Sequence, residues 1–192
     1  MENLLVIAVS SIFINNFVLF RFLGLCPFFG VSKKTSSALG MGFAVMFVMT
    51  CASAITWPIY SYLLEPLHLE FMKIVIFILV IAAFVQFTEM VIRRYAADLY
   101  EALGIYLPLI TTNCAIMGVA LLNLEEGYYF IGSVVNGFSA GVGFTLALLL
   151  MSGIRERLEF ADVPQSFRNL PIAFISAALL ALTFMAFSGM RL

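Results

Sequence analysis

The chain has 192 residues, 63% of them hydrophobic and only 11% charged, with a formal net charge of −1. Soluble domains carry roughly 25% charged residues, so this balance excludes a protein with an ordinary solvated surface. The net charge by itself says nothing about nucleic acid; the distribution of charge is more telling.

Uncharged runs cover residues 3–20, 38–64, 74–88, 102–124, 127–154 and 169–190. A hydrocarbon core asks for about 20 apolar residues per helix, which five of these runs approach or exceed. The third becomes long enough as a helix over 71–92, with Lys73 and Glu89 near its ends. A single span must satisfy its own backbone groups, so each run is expected to be a helix. The start, Met-Glu-Asn, has no basic region ahead of its apolar stretch, and the first helix is expected to be retained rather than cleaved. With six helices, Arg21, Lys33, Lys34, Arg93, Arg94, Arg155, Arg157 and Arg168 fall on one side, and only Lys73 and Arg191 on the other. The excess of basic residues predicts that the first side is cytoplasmic and that both termini lie outside.

Helix 1 carries Asn15, Asn16, Arg21, Gly24, Cys26 and Pro27, poor company for a plain lipid-facing span. Helix 2 carries Gly40, Gly42 and Cys51, and helix 3 ends near Glu89. Glu89 either contributes to an ion path or pairs with Arg93 at i+4, the plainer reading. Helix 4 carries Pro108, Thr111, Thr112, Asn113 and Cys114. Proline frees backbone groups that nearby Thr and Asn can satisfy, so helices 1 and 4 are expected to be broken. Asn15, Asn16, Thr111 and Asn113 then support the unwound backbone or the ion path, against a bland role in interhelical hydrogen bonding. Arg21 either caps the break or snorkels to the surface. The glycines of helices 2 and 5, Gly40, Gly42, Gly137, Gly141 and Gly143, are expected to mark close helix contacts. The Arg155–Glu159 run is mixed in sign and reads as a solvated helix end that can dock a peripheral subunit.

Two motifs recur in the same order. Cys26 and Cys114 are each followed by Gly-Val at the same spacing, and Gly40-Met41-Gly42-Phe43 matches Gly141-Val142-Gly143-Phe144. The interval between the motifs is 27 residues in the second half and 14 in the first, and the extra length falls on residues 123–129, read as a longer external loop. The expected fold is therefore an all-α integral membrane protein with six transmembrane helices. They form two inverted three-helix repeats, residues 1–95 and 96–192, with helices 1 and 4 broken. Such repeats place functional sites near the midplane.

The three cysteines are Cys26, Cys51 and Cys114. A buried cysteine is ordinarily a small apolar filler, and Cys51, whose counterpart is Ser152, takes that reading. For the matched pair, a disulfide at membrane depth is disfavoured. Zinc is disfavoured because four ligands are wanted and the only histidine, His68, lies in a loop. A [2Fe–2S] centre needs four thiolates, so a second, similar chain would have to complete it. Filler and half of a shared cluster both remain open on chemistry alone. No serine–histidine–acid set, phosphate-cradling loop or HExxH motif occurs.

Several blocks carry a resemblance. The segments Asn15–Leu19, Phe22–Phe28, Gly30–Lys34, Val85–Met90, Leu107–Cys114 and Ile154–Arg157 resemble the A-type members of Rnf complexes, and the likeness runs to Phe187-Ser188-Gly189. The E-type member of the sodium-pumping NADH:quinone oxidoreductase is also similar, though Cys26-Pro27-Phe28 and Thr111-Thr112-Asn113 look more like the Rnf version. The resemblance implies a membrane subunit of a redox-driven translocase, a ferredoxin:NAD oxidoreductase that moves sodium ions or protons, with no catalytic activity in this chain alone. It implies a bacterial cytoplasmic (inner) membrane, a pseudo-symmetric pairing with the homologous E subunit of the Rnf complex, and further B, C, D and G subunits. It also implies a [2Fe–2S] cluster held between the A-type and E-type chains, to which Cys26 and Cys114 would each give a ligand. A stand-alone inverted-repeat transporter and a cofactor-free membrane anchor are the rival readings.

Overall fold

The computed structural model describes residues 4–14, 16–66, 70–95 and 110–186, and every element among them is helical. Helix α1 (Leu4–Val9) widens into a π-helical segment, Ser10–Ile14. Two short helices follow, α2 (Phe17–Phe20) and α3 (Leu25–Val31). The long helix α4 (Thr35–Ile59) ends in a π-helical turn, Tyr60–Leu64, and α5 runs Lys73–Tyr95. The second half contains α6 (Cys114–Glu125), α7 (Phe130–Glu159) and α8 (Leu170–Met185).

Among the described residues, three helices are long and apolar enough to cross a membrane: Thr35–Leu64, Lys73–Met90 and Phe130–Glu159. The runs expected at residues 3–20, 102–124 and 169–190 contribute shorter apolar helices, Leu4–Phe13, Cys114–Glu125 and Leu170–Met185. Helix 1 is broken as expected, at residue 16 and again over 21–24. Residues 110–111 end a helical segment and 112–113 interrupt it, and residues 96–109, the expected first part of helix 4, lie outside the described residues. Pro27 does not kink a long helix. It occupies the first turn of α3, where a missing backbone donor costs nothing.

The core forms between α4 and α7. Lipid tails are as apolar as leucine, so these helices associate through close packing rather than water exclusion. A Cβ on Gly141 would stand 2.6 Å from Met46 Cα, one on Gly137 2.4 Å from Ser53 Oγ, and one on Gly42 2.5 Å from Thr145 Cγ2. These glycines let the backbones approach, as their sequence suggested. Phe144, Met41, Val45, Leu148 and Met151 are fully buried around the seam. In α7, 61% of the most apolar stretch is buried, against 17% in α5, so α7 is the axis of the molecule and α5 a peripheral helix.

Polar contacts fix the direction of each helix. At one end Thr35 donates its N–H and its hydroxyl to Glu156 Oε1, at 2.8 and 2.7 Å. At the other, Trp57 Nε1 donates to Tyr128 O at 2.7 Å. Helices α4 and α7 are therefore antiparallel, with Lys33, Lys34, Arg155 and Arg157 at a common end. Connection 32–34 lies at that end and connection 126–129 at the opposite one. The halves are not equal in environment. Phe43 is 59% exposed, whereas its motif counterpart Phe144 is fully buried, its ring stacked on Phe17 at 6.4 Å.

The expected external loop over 123–129 is shorter. Helix α6 continues to Glu125, and Asn123 lies buried inside the bundle. The Arg155–Glu159 run is only partly solvated. Arg155 Nη1 turns inward to Phe29 O and Ser32 Oγ, both at 2.8 Å, while Arg157 and Glu159 stay exposed.

Candidate metal centre at the broken helices

The site starts from two asparagines that end one helical segment and begin the next. Asn16 caps α2, its Oδ1 accepting from Val18 N–H, while its Nδ2 donates to Gly143 O at 2.9 Å and Ile12 O at 3.3 Å. One side chain thus starts α2 and ties the break to α7. Asn113 caps α6 in the same way, its Oδ1 accepting from Ala115 N–H at 3.1 Å. Caps of this kind satisfy donors that a helix start leaves free. Both asparagines are buried, 1% and 4% exposed.

After α2 the chain turns sharply. Arg21 N–H and Leu23 N–H both return to Phe17 O, and Phe22 and Gly24 adopt left-handed backbone, with φ of 56° and 80°. That conformation costs free energy for a residue with a side chain and little for glycine. Gly24 is needed for space as well, since a Cβ there would lie 2.9 Å from Ala115 Cβ, 3.2 Å from Phe144 Cε2 and 3.3 Å from Asn113 Oδ1. The neighbouring Leu23 fills the space beside Gly118, where a Cβ would come within 2.6 Å of Leu23 Cδ1. Gly30, the sequence partner of Gly118, faces open space. The matched Gly-Val pairs therefore do different things in the two halves.

This turn brings the matched cysteines into one neighbourhood. Gly24 N–H donates to Cys114 Sγ at 3.0 Å, and Cys26 follows two residues later, within about 7 Å along the chain. Cys114 is the first residue of α6 and Cys26 the second of α3. Helix α6 has 12 residues, so Cys114 lies about 16 Å from its far end. Both thiols are free; Cys26 is exposed and Cys114 half-buried. Cys51 is also free and sits half-buried on α4.

The residues present fit one half of a shared iron–sulfur site. An N–H already points at one sulfur, a contact that tunes such clusters. Asn113 Nδ2, beside Cys114, is buried without a hydrogen-bond partner, a donor left for a sulfur atom to accept. Among the described residues no three His, Cys, Asp or Glu side chains gather. Exposure of Cys26 leaves its sulfur open to a second chain.

The remaining sequence candidates divide. Thr111 is half-buried on the turn before Asn113, and Glu89 is half-buried on α5 near its Arg93-Arg94 end. Asn15 lies outside the described residues. Sequence reading missed Arg155, whose bonds to Phe29 O and Ser32 Oγ anchor the far end of α3. It also missed Ser11, Ser53, Asn123 and Asn136, which hydrogen-bond one another between helices. Asn136, the only Asn of run 127–154, and Asn123, the second of run 102–124 after Asn113, were the available signal.

Residues 4–191 match the family described as "Rnf-Nqr subunit, membrane protein". The A-type chain of the ion-translocating oxidoreductase complex of Syntrophotalea carbinolica is 55% identical over 190 residues, covering 99% of this chain and 98% of that protein. The A-type chain of the Na(+)-translocating ferredoxin:NAD(+) oxidoreductase complex of Acetobacterium woodii is 54% identical, covering 99% of each chain. The corresponding chain of the ion-translocating oxidoreductase complex of Vibrio vulnificus strain YJ016 is 52% identical over the same shares. With a match over nearly its whole length and relatives above half identity, this chain belongs to the Rnf-Nqr family of membrane subunits.

Proposed function

We propose that the chain is the A-type member of an ion-translocating ferredoxin:NAD oxidoreductase complex, in which Cys26 and Cys114 are two of four ligands to a [2Fe–2S] cluster. The other two come from a homologous E-type chain inserted in the opposite sense. The observation that carries this reading is the contact between Gly24 N–H and Cys114 Sγ, which gathers two thiols 88 residues apart at one pair of helix starts. Relatives named as members of such complexes support the activity.

In this reading the chain crosses a bacterial inner membrane six times as two inverted three-helix repeats, with both termini outside. A [2Fe–2S] cluster supplies one-electron transfer at membrane depth. The protein's own part is to hold and tune that centre. Asn16 and Asn113 fix the starts of α2 and α6. Gly24 N–H and Asn113 Nδ2 present donors to sulfur, and the start of the 12-residue α6 favours negative charge. An added electron is a buried charge, expensive unless a cation approaches or the surroundings rearrange. That cost would couple reduction of a bound cluster to ion movement through the pair of chains.

The test is a Cys26→Ser variant of the whole complex in sealed vesicles, with ion uptake driven by reduced ferredoxin and NAD. Uptake is expected to fall with electron transfer. Undiminished uptake would return the chain to the transporter or anchor reading.

A further inference from the structure

Arg155 and Glu156, neighbours on α7, grip the two sides of connection 32–34. Glu156 Oε1 accepts from the N–H and the hydroxyl of Thr35, at the start of α4. Arg155 Nη1 donates to Phe29 O and Ser32 Oγ, both at 2.8 Å, at the end of α3. The last four carbonyls of a helix lack partners within it, and a helix C-terminus favours positive charge as its N-terminus favours negative. Each side chain therefore meets the helix end that suits its charge. Ser32 and Phe28 are wholly buried, and the Phe29 ring lies 4.3 Å from that of Phe174 on α8. The short helix that carries Cys26 is thus held at its far end by one arginine and along its side by α8.

The bias of basic residues accounts for an arginine at this end of the bundle, but not for its direction. A snorkelling side chain carries its charge out to headgroups and water, and Lys33, Lys34 and Arg157 are exposed in that way. Arg155 instead turns its charge into the protein, onto two neutral oxygens. Glu156, the carboxylate beside it in sequence, is engaged by Thr35. A cation taken from water onto neutral acceptors is costly unless an anion lies within reach. Phe29 follows Cys26 by three residues, less than one helical turn. Helix rise and one hydrogen-bond length put the guanidinium about 10 Å from Cys26. A thiolate-ligated iron–sulfur centre is anionic and gains a further negative charge on reduction. At that range, in an interior that salt screens poorly, the two charges attract.

We propose that Arg155 is a positioning residue for the metal centre: it fixes α3, and with it Cys26, and its charge favours the reduced state. The link to iron rests on the proposed function; the grip on α3 does not.

The experiment is a redox titration of the purified whole complex, followed by the paramagnetic signal of the reduced [2Fe–2S] centre, in the parent, Arg155→Gln, Arg155→Lys and Arg157→Gln. A unit charge about 10 Å away, at an effective dielectric of about 20, changes an equilibrium on the order of tenfold. Arg155→Gln keeps a donor and removes the charge. It should lower the ratio of reduced to oxidised centre about tenfold at fixed potential, about 59 mV more negative for a one-electron couple. Arg155→Lys keeps the charge and should titrate close to the parent, as should Arg157→Gln, whose side chain is exposed. An assembled Arg155→Gln complex with the parent's midpoint overturns the inference. So does an equal shift in Arg157→Gln, which would make the effect one of surface charge. If Arg155→Gln assembles without iron, Ser32→Asp decides, because it keeps the guanidinium and pairs it with a carboxylate. Its midpoint should also move negative, and an unmoved one overturns the inference. Hydrogen exchange over residues 25–34 of the same complexes reads the grip: it should quicken in Arg155→Gln and not in Arg157→Gln, and equal exchange in both denies it. A parent without any [2Fe–2S] signal fails the proposed function and the inference with it; a parent with the signal beside an unmoved variant fails the inference alone.

Discussion

Gly24→Ala is the sharpest test of how the break is built. The change asks a residue with a Cβ to hold φ of 80°, and places that Cβ 2.9 Å from Ala115 Cβ on the rigid first turn of α6. Left-handed backbone costs about 1–2 kcal/mol and overpacking about 1–3, so the sum is about 2–5 kcal/mol. The neighbour cannot rotate away, because Ala115 has no rotamer and its N–H is fixed by Asn113. Gly153→Ala is the matched control: Gly153 lies inside α7 with nothing within 4 Å of its added Cβ, and alanine there should gain about 0.5–1 kcal/mol. Both can be read by denaturant titration of the detergent-solubilised chain, followed by the fluorescence of Trp57, its only tryptophan. The expected order of stability is Gly153→Ala, parent, Gly24→Ala. A Gly24→Ala protein as stable as the parent would refute the packing of the turn against α6.

Three further outcomes follow from the same contacts. Gly141→Ala, which meets the backbone of Met46, should cost about 1–3 kcal/mol, and Gly42→Ala less, because it meets only the side chain of Thr145; the same titration ranks them. Arg155→Ala removes two charge-assisted bonds to Phe29 O and Ser32 Oγ, worth about 1.5–3 kcal/mol each, and should speed hydrogen exchange of the amides in residues 25–34; unchanged exchange would deny the anchor. Asn113→Asp keeps the oxygen that caps α6 but removes the unpartnered donor and adds negative charge, so a redox titration of the complex should find the iron–sulfur midpoint moved to more negative potential. An unmoved midpoint would separate Asn113 from the centre.

Much of the fold was legible because lipid simplifies the code. Uncharged runs marked the long helices, and the basic residues at 33, 34, 155 and 157 gathered at one end as their distribution implied. Gly42, Gly137 and Gly141 were readable because close approach of membrane helices leaves few other uses for glycine in such runs. The Cys26 and Cys114 match, with Asn16 and Asn113 beside it, pointed to the break from sequence alone. Less was legible where a residue's partner is remote in sequence. Arg155 reads as one charge in a solvated run, and only folding puts Phe29 O within reach. Asn123 reads as the start of a loop because the motif interval is longer in the second half, yet its hydrogen bonds to residues 53 and 136 keep it inside the bundle. The unequal burial of Phe43 and Phe144 shows the same limit. A repeated motif fixes sequence position, while its environment depends on what the rest of the chain brings to it.

The most direct measurement is electron paramagnetic resonance with iron analysis on the reduced, intact complex, comparing the parent with the Cys26→Ser/Cys114→Ser double variant. Loss of one [2Fe–2S] signal and of two irons per complex, roughly what a single such cluster contains, is the expected result. An assembled variant complex that keeps the parent's spectrum and iron would contradict the account and leave both cysteines as packing residues.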